Sequence, residues 1–187
     1  MDAGLAAVLG AAVGAVGTGG AAIATALLNR SQARLQLRAE HVRLLRQTRQ
    51  TIYARFTEAL QTAHESLFAV ERKLRLYRAD EPDAEAKRAE IERAFDIAQE
   101  QTEVLSTPAA LVAIEAPFEL SDRSDKAAHA LSDYRNHLMV AVAKIGTGEE
   151  FASDDAEEAR NRREGTIRAN IRFRLTASEV LNDDGMA

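Results

Sequence analysis

The four histidines are the first candidates for chemistry, because imidazole binds transition metals and transfers protons near neutral pH. They are His41, His64, His129 and His137. No two of them lie three or four residues apart, the spacing that places two ligands on one helix face, and no His-Glu-x-x-His motif occurs. The spacing therefore favours isolated histidines on helix faces over a metal site.

Neighbouring carboxylates are the second candidates, since a pair of acids can act as general acid and general base. Three pairs stand out: Glu90 with Glu92, Asp154 with Asp155, and Glu157 with Glu158. The chain holds 29 acidic residues, so each pair carries little information. We interpret the pairs as solvated helix faces and as acids that favour the positive end of a helix dipole.

Arginines are concentrated towards the C-terminus, at positions Arg160, Arg162, Arg163, Arg168, Arg172 and Arg174. Two interpretations are open. The cluster binds an anionic partner, or it forms i,i+4 ion pairs with Glu157, Glu158 and Glu164, and the spacing favours the second. Nucleic-acid recognition requires interleaved aromatic residues or a known module, and Phe173 alone supplies neither. No nucleic-acid partner is predicted.

Several reaction classes lack the residues they need. The chain has no cysteine, which excludes disulfides, thiolate zinc sites, iron–sulfur clusters and cysteine nucleophiles. The glycines between residues 10 and 20 follow no predicted strand and precede no lysine, so they do not form a phosphate-binding loop. The sequence predicts a non-enzymatic protein with no cofactor, no metal and no small-molecule substrate.

The composition predicts an all-α protein. Aromatic residues make up 5% of the chain and Trp is absent, so aliphatic side chains must fill the core. Ala, Leu, Arg, Glu and Gln favour helices, and strand-forming residues do not alternate over several segments. The expected fold is an N-terminal transmembrane helix, a long helix and an antiparallel helical bundle.

Residues 3–28 contain no charge over 26 positions. A helix of this length extends about 39 Å, against a hydrocarbon core of about 30 Å. Three interpretations are open: a membrane anchor, a cleaved signal peptide and a buried helix of a soluble protein. A signal peptide begins with basic residues, whereas only Met1 and Asp2 precede this segment. Buried helices seldom lack charge over such a length, so the anchor is favoured.

Arg30, Arg34 and Arg38 flank the predicted anchor and set its orientation. Residues 29–78 hold 11 basic and 4 acidic side chains. Basic residues beside a spanning helix stay on the cytoplasmic side. We therefore expect an inner-membrane protein with its N-terminus outside and its C-terminal domain in the cytoplasm. The first arginines are also expected to contact anionic lipid.

Small residues recur every four positions within the anchor, at Ala6, Gly10 and Gly14. This spacing places them on one helix face and lets two helices approach closely. Such spacing also arises by chance in a segment so rich in Ala and Gly. Packing between two anchors is thus one of two open interpretations.

The chain is predicted to contain an anchor at 1–29, an Arg-rich juxtamembrane helix at 30–55, a helical bundle at 56–181 and a flexible tail at 182–187. The first bundle helix carries an apolar stripe with spacings of three and four: Phe56, Leu60, Ala63, Leu67, Val70, Leu74 and Tyr77. Pro82 follows it, which predicts a hairpin into the next helix.

Four further helical segments are predicted. The first runs from about Ala84 to Leu105, and Thr107 with Pro108 is expected to cap a short second one that ends before Pro117. The third begins at caps in 121–125 and ends near Lys144. Its stripe comprises Ala127, Leu131, Tyr134, Leu138, Val142 and Ile145. The last runs from about Ser153 to Leu181, with a stripe of Ile167, Ile171 and Leu175.

The segment after the predicted anchor resembles membrane-anchored helical proteins of high-GC actinobacteria, over roughly residues 1–60. The residues that carry the resemblance are Arg38, Ala39, Glu40, His41, Arg46, Arg49 and Tyr53. It implies a bacterial inner-membrane protein with a cytoplasmic helical domain. It implies no activity and no site residues.

Three functional hypotheses follow. The leading one is a membrane-anchored scaffold or interaction module whose bundle docks a protein partner at the cytoplasmic face. The alternative is a structural protein that self-assembles through its anchors and through a coiled coil, with Leu35, Val42, Leu45, Ile52 and Phe56 at a and d positions. Arg38 and Arg49 occupy other a and d positions and weaken that coiled coil. An enzyme remains only if the bundle encloses a cofactor pocket that spacing does not reveal.

Overall fold

A computed structural model describes the backbone of residues 3–183 and the side chains of residues 29, 30 and 32–183. These residues form helices α1 (Ala3–Leu76), α2 (Ala84–Val104), α3 (Ser106–Glu115), α4 (Phe118–Gly146) and α5 (Ser153–Asp183), and no strand occurs among them. The predicted all-α class is confirmed. The chain divides into two compact units, Met1–Leu45 and Arg46–Ala187.

The apolar stripe of α1 forms one wall of the core in the second unit. All seven predicted members are buried: Phe56, Leu60, Ala63, Leu67, Val70, Leu74 and Tyr77. Ile52 and Tyr53 extend the buried face by one turn towards the N-terminus. Helix α1 ends at Leu76, and the loop before α2 contains Pro82, as predicted.

Helices α2 and α3 follow each other with one residue between them. One face of α2 and the residue that follows the helix are buried, at Ile91, Phe95, Ala98, Thr102 and Leu105. The prediction that Thr107 caps α3 is wrong, because α3 already begins at Ser106. Leu105 keeps a helical conformation and its N–H donates to the carbonyl of Thr102. The backbone is therefore nearly continuous from α2 into α3, and α3 begins without a capping side chain. Pro108 is tolerated because first-turn N–H groups lack helical partners.

Helix α4 carries the second wall of the core. Ala127, Leu131, Tyr134, Leu138 and Ile145 are buried as predicted, and Val142 is half-buried. The helix begins at Phe118 rather than within 121–125, because the Pro117 carbonyl accepts the N–H groups of Leu120 and Ser121. At its C-terminal end Gly148 adopts φ of 86°, a conformation that other residues rarely take.

The stripe predicted for α5 lies on the wrong face. Ile167, Ile171 and Leu175 are exposed, and the buried positions are Ala159, Thr166, Phe173, Thr176 and Ala177. Phe173 lies two residues from both Ile171 and Leu175, which is about 200° around a helix, so only one set can face the core. The aromatic ring buries more area, and the small residues beside it permit close approach to α1 and α4.

Helix α5 runs antiparallel to both α1 and α4. Its Phe173 ring packs against Phe56 with centroids 4.6 Å apart, while the Arg75 guanidinium donates to the Ala156 carbonyl at 2.8 Å. On the other side, the Thr166 hydroxyl donates to the Ala130 carbonyl at 3.1 Å. Helix α2 packs on α4, and α3 packs on both. The second unit is therefore a helical bundle around one core.

None of the helices searched in the described part of the chain has the length and apolar character to cross a bilayer. The side chains of the predicted anchor, residues 3–28, lie outside the described set, as do residues 184–187 of the predicted tail.

Candidate functional site

Glu71 is the most unusual residue of the bundle, because its carboxylate is fully buried. The Tyr134 hydroxyl donates to its Oε2 at 2.6 Å. The Arg75 guanidinium, one turn further along α1, donates to its Oε1 through Nε at 2.9 Å and through Nη2 at 2.7 Å. A buried carboxylate is tolerated when it is paired and hydrogen-bonded. Both oxygens of Glu71 meet this condition.

Arg163 brings a third helix to the same carboxylate. Its Nη1 lies 3.7 Å from Glu71 Oε2, and its guanidinium carbon lies 4.5 Å from the centre of the Phe68 ring. Arg75 binds α5 as well, through the Ala156 carbonyl. We name Glu71, Arg75, Tyr134 and Arg163 the Glu71 cluster. It ties α1, α4 and α5 together at one level of the bundle.

His64 lies beside this cluster. Its ring centre is 6.2 Å from that of Tyr134, and its Nε2 is buried without a hydrogen-bond partner among the described residues. Burial lowers the pKa of His64, and the charge of Arg163 lowers it further, while Glu65 and Glu71 act in the opposite direction. A neutral imidazole is the form that this position favours.

The chemistry available to the Glu71 cluster is restricted. Burial raises the pKa of the Tyr134 hydroxyl far above its usual range. The hydrogen bond to Glu71 and the negative charge of Glu71 raise this pKa further. The proton therefore stays on the tyrosine. Because the protein's own side chains occupy both carboxylate oxygens, the arrangement suits fixing the register of three helices.

Sequence reasoning missed Glu71, although one signal was present. Leu67, Glu71 and Leu74 are spaced by four and three, so the carboxylate occupies the face of the predicted apolar stripe. A single acid at such a position predicts a buried ion pair. Its partners are Arg75, Tyr134 and Arg163, of which the last two come from distant helices.

The remaining histidines are separated from one another. His41 is exposed, a ring nitrogen of His129 lies 2.8 Å from the Asp125 carbonyl, and Nε2 of His137 lies 2.9 Å from the Asp155 carbonyl. Within the described residues, no group of three His, Asp or Glu side chains could hold a metal ion.

The carboxylate pairs lie mostly on solvated faces, as interpreted from the sequence. Glu92 and Glu158 pair with Arg88 and Arg162 one turn away on their own helices, at 3.1 and 2.8 Å. Glu90 and Asp155 differ, because Lys73 of α1 pairs with Glu90 and Lys144 of α4 reaches Asp155 at 2.8 Å. That hydrogen bond raises the pKa of Lys144.

The C-terminal arginines differ in their partners. Ion pairs along α5 join Arg160 with Glu157, Arg162 with Glu158 and Arg168 with Glu164, at 4.0, 2.8 and 3.6 Å. The ion-paired interpretation is confirmed for these residues. Arg163 instead turns to the Glu71 cluster.

A cavity of about 530 Å³ lies between α1 and α5. Arg46, Tyr53 and Thr57 line it from α1, and Arg174 and Asn182 line it from α5. It brings together no His and no carboxylate. Its lining suits polar contacts with an anion and offers no acid–base pair.

The predicted membrane flank is exposed on α1. Arg30, Arg34 and Arg38 are all exposed, and so are the leucines at 35, 37, 44 and 45. These arginines are spaced by four, so they share one helix face. The predicted packing residues Ala6, Gly10 and Gly14 lie outside the described side chains.

Comparison with protein-family models, curated proteins and solved structures finds no match for the chain. The resemblance to actinobacterial membrane proteins therefore stays a prediction from the residues that carry it.

Proposed function

We propose that the protein is a non-enzymatic scaffold or interaction module, tethered to the cytoplasmic face of the bacterial inner membrane. In this proposal residues 3–28 cross the bilayer and the second unit docks a protein partner. The observation that carries the proposal is the order of segments along the chain. An uncharged stretch is followed directly by exposed Arg30, Arg34 and Arg38, and then by a bundle.

The Glu71 cluster supports a scaffold role. A buried ionic cluster of this kind contributes less to stability than to holding one arrangement of helices, since replacing such a cluster with apolar residues is often neutral or stabilising. Here it fixes α1, α4 and α5 relative to one another. A rigid bundle presents its outer surface in a constant form, which is what a docking module requires.

Membrane fractionation with protease protection tests the tether. A full chain with a C-terminal tag should sediment with membranes, and the tag should resist protease in intact spheroplasts. Digestion of the tag in intact spheroplasts would overturn the orientation, and recovery of the whole protein without detergent would overturn the anchor.

A matched pair of variants sharpens this test. Replacing Arg30, Arg34 and Arg38 with Gln removes the basic flank, and should expose part of the tagged population to protease. Replacing Arg93, Arg160 and Arg174 with Gln removes the same charge from exposed positions of α2 and α5. This control should leave the tag protected. Equal protection in both variants would show that the flank does not set the orientation.

The alternative is a self-assembling structural membrane protein, and one observation favours it. Leu35, Val42 and Leu45 are exposed on α1 at heptad-compatible spacing. Ile52 and Phe56, which were predicted to continue the coiled coil, are buried in the chain's own core and are not available to a second copy. Cross-linking in membranes distinguishes the two functions, because only the alternative requires dimers.

A further inference from the structure

The seam between α4 and α5 contains a cavity of about 140 Å³ whose charged lining is entirely cationic. Arg123 and Lys126 contribute from α4, and Arg168 and Arg172 contribute from α5. Gly165 and Ala169 complete the lining without adding charge. We name this feature the cationic groove.

The acids nearest to the groove do not line it. Arg123 lies 3.7 Å from Glu119, Lys126 lies 2.6 Å from Asp122, and Arg168 lies 3.6 Å from Glu164. Arg172 has no carboxylate within 4.0 Å among the described residues, and Arg123 Nε is buried without a hydrogen-bond partner among them. The groove therefore retains both an unbalanced positive charge and an unused donor. A phosphate group supplies the charge and the acceptors that these arginines match.

An exposed apolar stripe borders the groove on α5. It consists of Ile167, Ile171 and Leu175, which lie on the side of α5 opposite to the core. Arg168 and Arg172 each follow one of these isoleucines directly, so the cations flank the stripe along its length. Apolar residues beside a row of arginines are typical of helix surfaces that lie at the boundary between lipid headgroups and acyl chains.

We propose that the cationic groove binds the phosphate headgroup of an anionic phospholipid, with Ile167, Ile171 and Leu175 against the adjoining acyl region. The inference deepens the proposed membrane tether and rests on it, because a tethered bundle encounters such headgroups at high local concentration. A free phosphate compound shares the headgroup chemistry but gives the apolar stripe no role.

Gly165 allows the groove to be tested without changing its charge. A Cβ placed there meets no atom within 4 Å, so Gly165→Ala should fold and should leave room for the phosphate. Gly165→Leu extends a larger side chain into the same space and should reduce headgroup binding. The Ala variant is the matched control, because both substitutions remove a helical glycine.

The experiment uses the full chain with Glu179→Cys, labelled with an environment-sensitive fluorophore. The natural sequence has no cysteine, so the label is unique, and Glu179 is exposed four residues after Leu175. The labelled protein is placed in nanodiscs of phosphatidylcholine and in nanodiscs with an increasing fraction of phosphatidylglycerol. A blue shift that depends on phosphatidylglycerol is the expected result.

Charge variants measure how much single arginines contribute to the response to phosphatidylglycerol. Arg168→Gln and Arg172→Gln should each weaken the response about fivefold, since a basic residue near an anionic surface contributes roughly that factor. Arg93→Gln, at an exposed position of α2 outside the groove, should not change it. Gly165→Leu should weaken the response and Gly165→Ala should not. An equal response in all variants would overturn the site.

The other outcomes are distinguishable. A response to inorganic phosphate alone would assign the groove to free anions, and energy transfer between labelled copies would assign the stripe to a second copy of the chain. Either result overturns the lipid assignment. Failure of the chain to remain with phosphatidylcholine nanodiscs would overturn the anchor instead. The dependence on phosphatidylglycerol would still show whether the cationic groove binds a headgroup. A chain that stays with the nanodiscs without any response would overturn this inference alone.

Discussion

Two stretches of helix α1 carry similar apolar spacing but differ completely in burial. In residues 52–77 the apolar stripe is closed off from solvent, and Leu67 is 0% exposed. In residues 29–45 every large apolar side chain is exposed, and Leu35 is 61% exposed. Periodicity therefore specifies which side chains share a face, and does not specify whether another element covers that face.

The lengths of α4 and α5 explain where the buried part of the α1 stripe ends. Helices α4 and α5 contain 29 and 31 residues. A helix packed side by side covers about as many residues of α1 as it contains, because the rise per residue is the same. Counting back from Leu76, such a length reaches the region of Arg46, where the second unit begins. Residues 29–45 lie before that point.

The largest expected effect is a difference in stability between variants of two glutamates of α1. Glu71→Ala should lower the free energy of unfolding by about 3–5 kcal/mol, because it leaves the charges of Arg75 and Arg163 without their buried partner. Glu40→Ala, at an exposed position of residues 29–45, should change it by less than about 0.5 kcal/mol. Urea denaturation of the full chain, followed by far-ultraviolet circular dichroism, measures both. Similar losses would contradict the contrast between the two stretches.

Tyr134→Phe provides a second measurement if Glu71→Ala does not fold. It removes the 2.6 Å hydrogen bond and leaves Arg75 in place. A loss of about 1.5–3 kcal/mol is expected, as for hydrogen bonds to charged groups. A loss near zero would show that the Glu71 cluster does not tie α1 to α4.

Two leucines give the next contrast. Leu67→Ala should lower the free energy of unfolding by about 3 kcal/mol, through lost burial and the cavity that remains. Leu35→Ala should leave it nearly unchanged, because Leu35 is already in contact with water. The same denaturation experiment applies. If Leu35→Ala costs as much as Leu67→Ala, residues 29–45 are covered by another chain, and the self-assembly alternative is favoured.

Two histidines extend the contrast to pH. Because the folded-state pKa of His64 is lowered, acidification protonates His64 more readily in the unfolded chain than in the fold. Stability should fall as the pH drops through the ordinary histidine pKa of about 6.5, and the penalty is complete below the lowered pKa. His64→Phe should reduce the loss of stability between pH 7 and pH 5.5, while keeping a ring beside Tyr134.

His41→Phe is the matched control for this effect, because His41 is exposed in residues 29–45. It should leave the pH dependence of unfolding as it is in the natural chain. The measurement is the midpoint of urea unfolding at a series of pH values. A pH dependence that His64→Phe leaves unchanged would assign the acid sensitivity to other groups.

The sequence predicted those parts of the bundle in which one apolar stripe dominates its helix. In residues 52–77 and in α4 the buried series follows directly from spacings of three and four, since the stripe holds most of the large apolar residues of each segment. The all-helical class followed from composition. The interhelical partners of Glu71 could not be predicted, because they lie 63 and 92 residues away in sequence, and local spacing contains no information about such pairs.

Helix α5 shows why a regular stripe can mislead. Its sequence contains two apolar series, Ile167 to Leu175 and the series around Phe173, and spacing alone cannot rank them. The competition is decided by shape, since Phe173 fits against Phe56 while Ala159 and Ala177 let the helices approach. The start of α3 was also misplaced, because Leu105, which is buried, keeps a helical conformation directly before Ser106.

The smallest expected effect tests this assignment in α5. Ile171→Ser should change the free energy of unfolding by less than about 0.5 kcal/mol, because Ile171 is half exposed on the side opposite to the core. Phe173→Leu should cost more, since it removes the ring that packs against Phe56 and Tyr53. If Ile171→Ser destabilises the isolated chain as much as Phe173→Leu, the face assigned to the core is wrong. If Ile171→Ser leaves the free energy of unfolding unchanged but weakens the response to phosphatidylglycerol, the exposed stripe contacts lipid and not the core of the bundle.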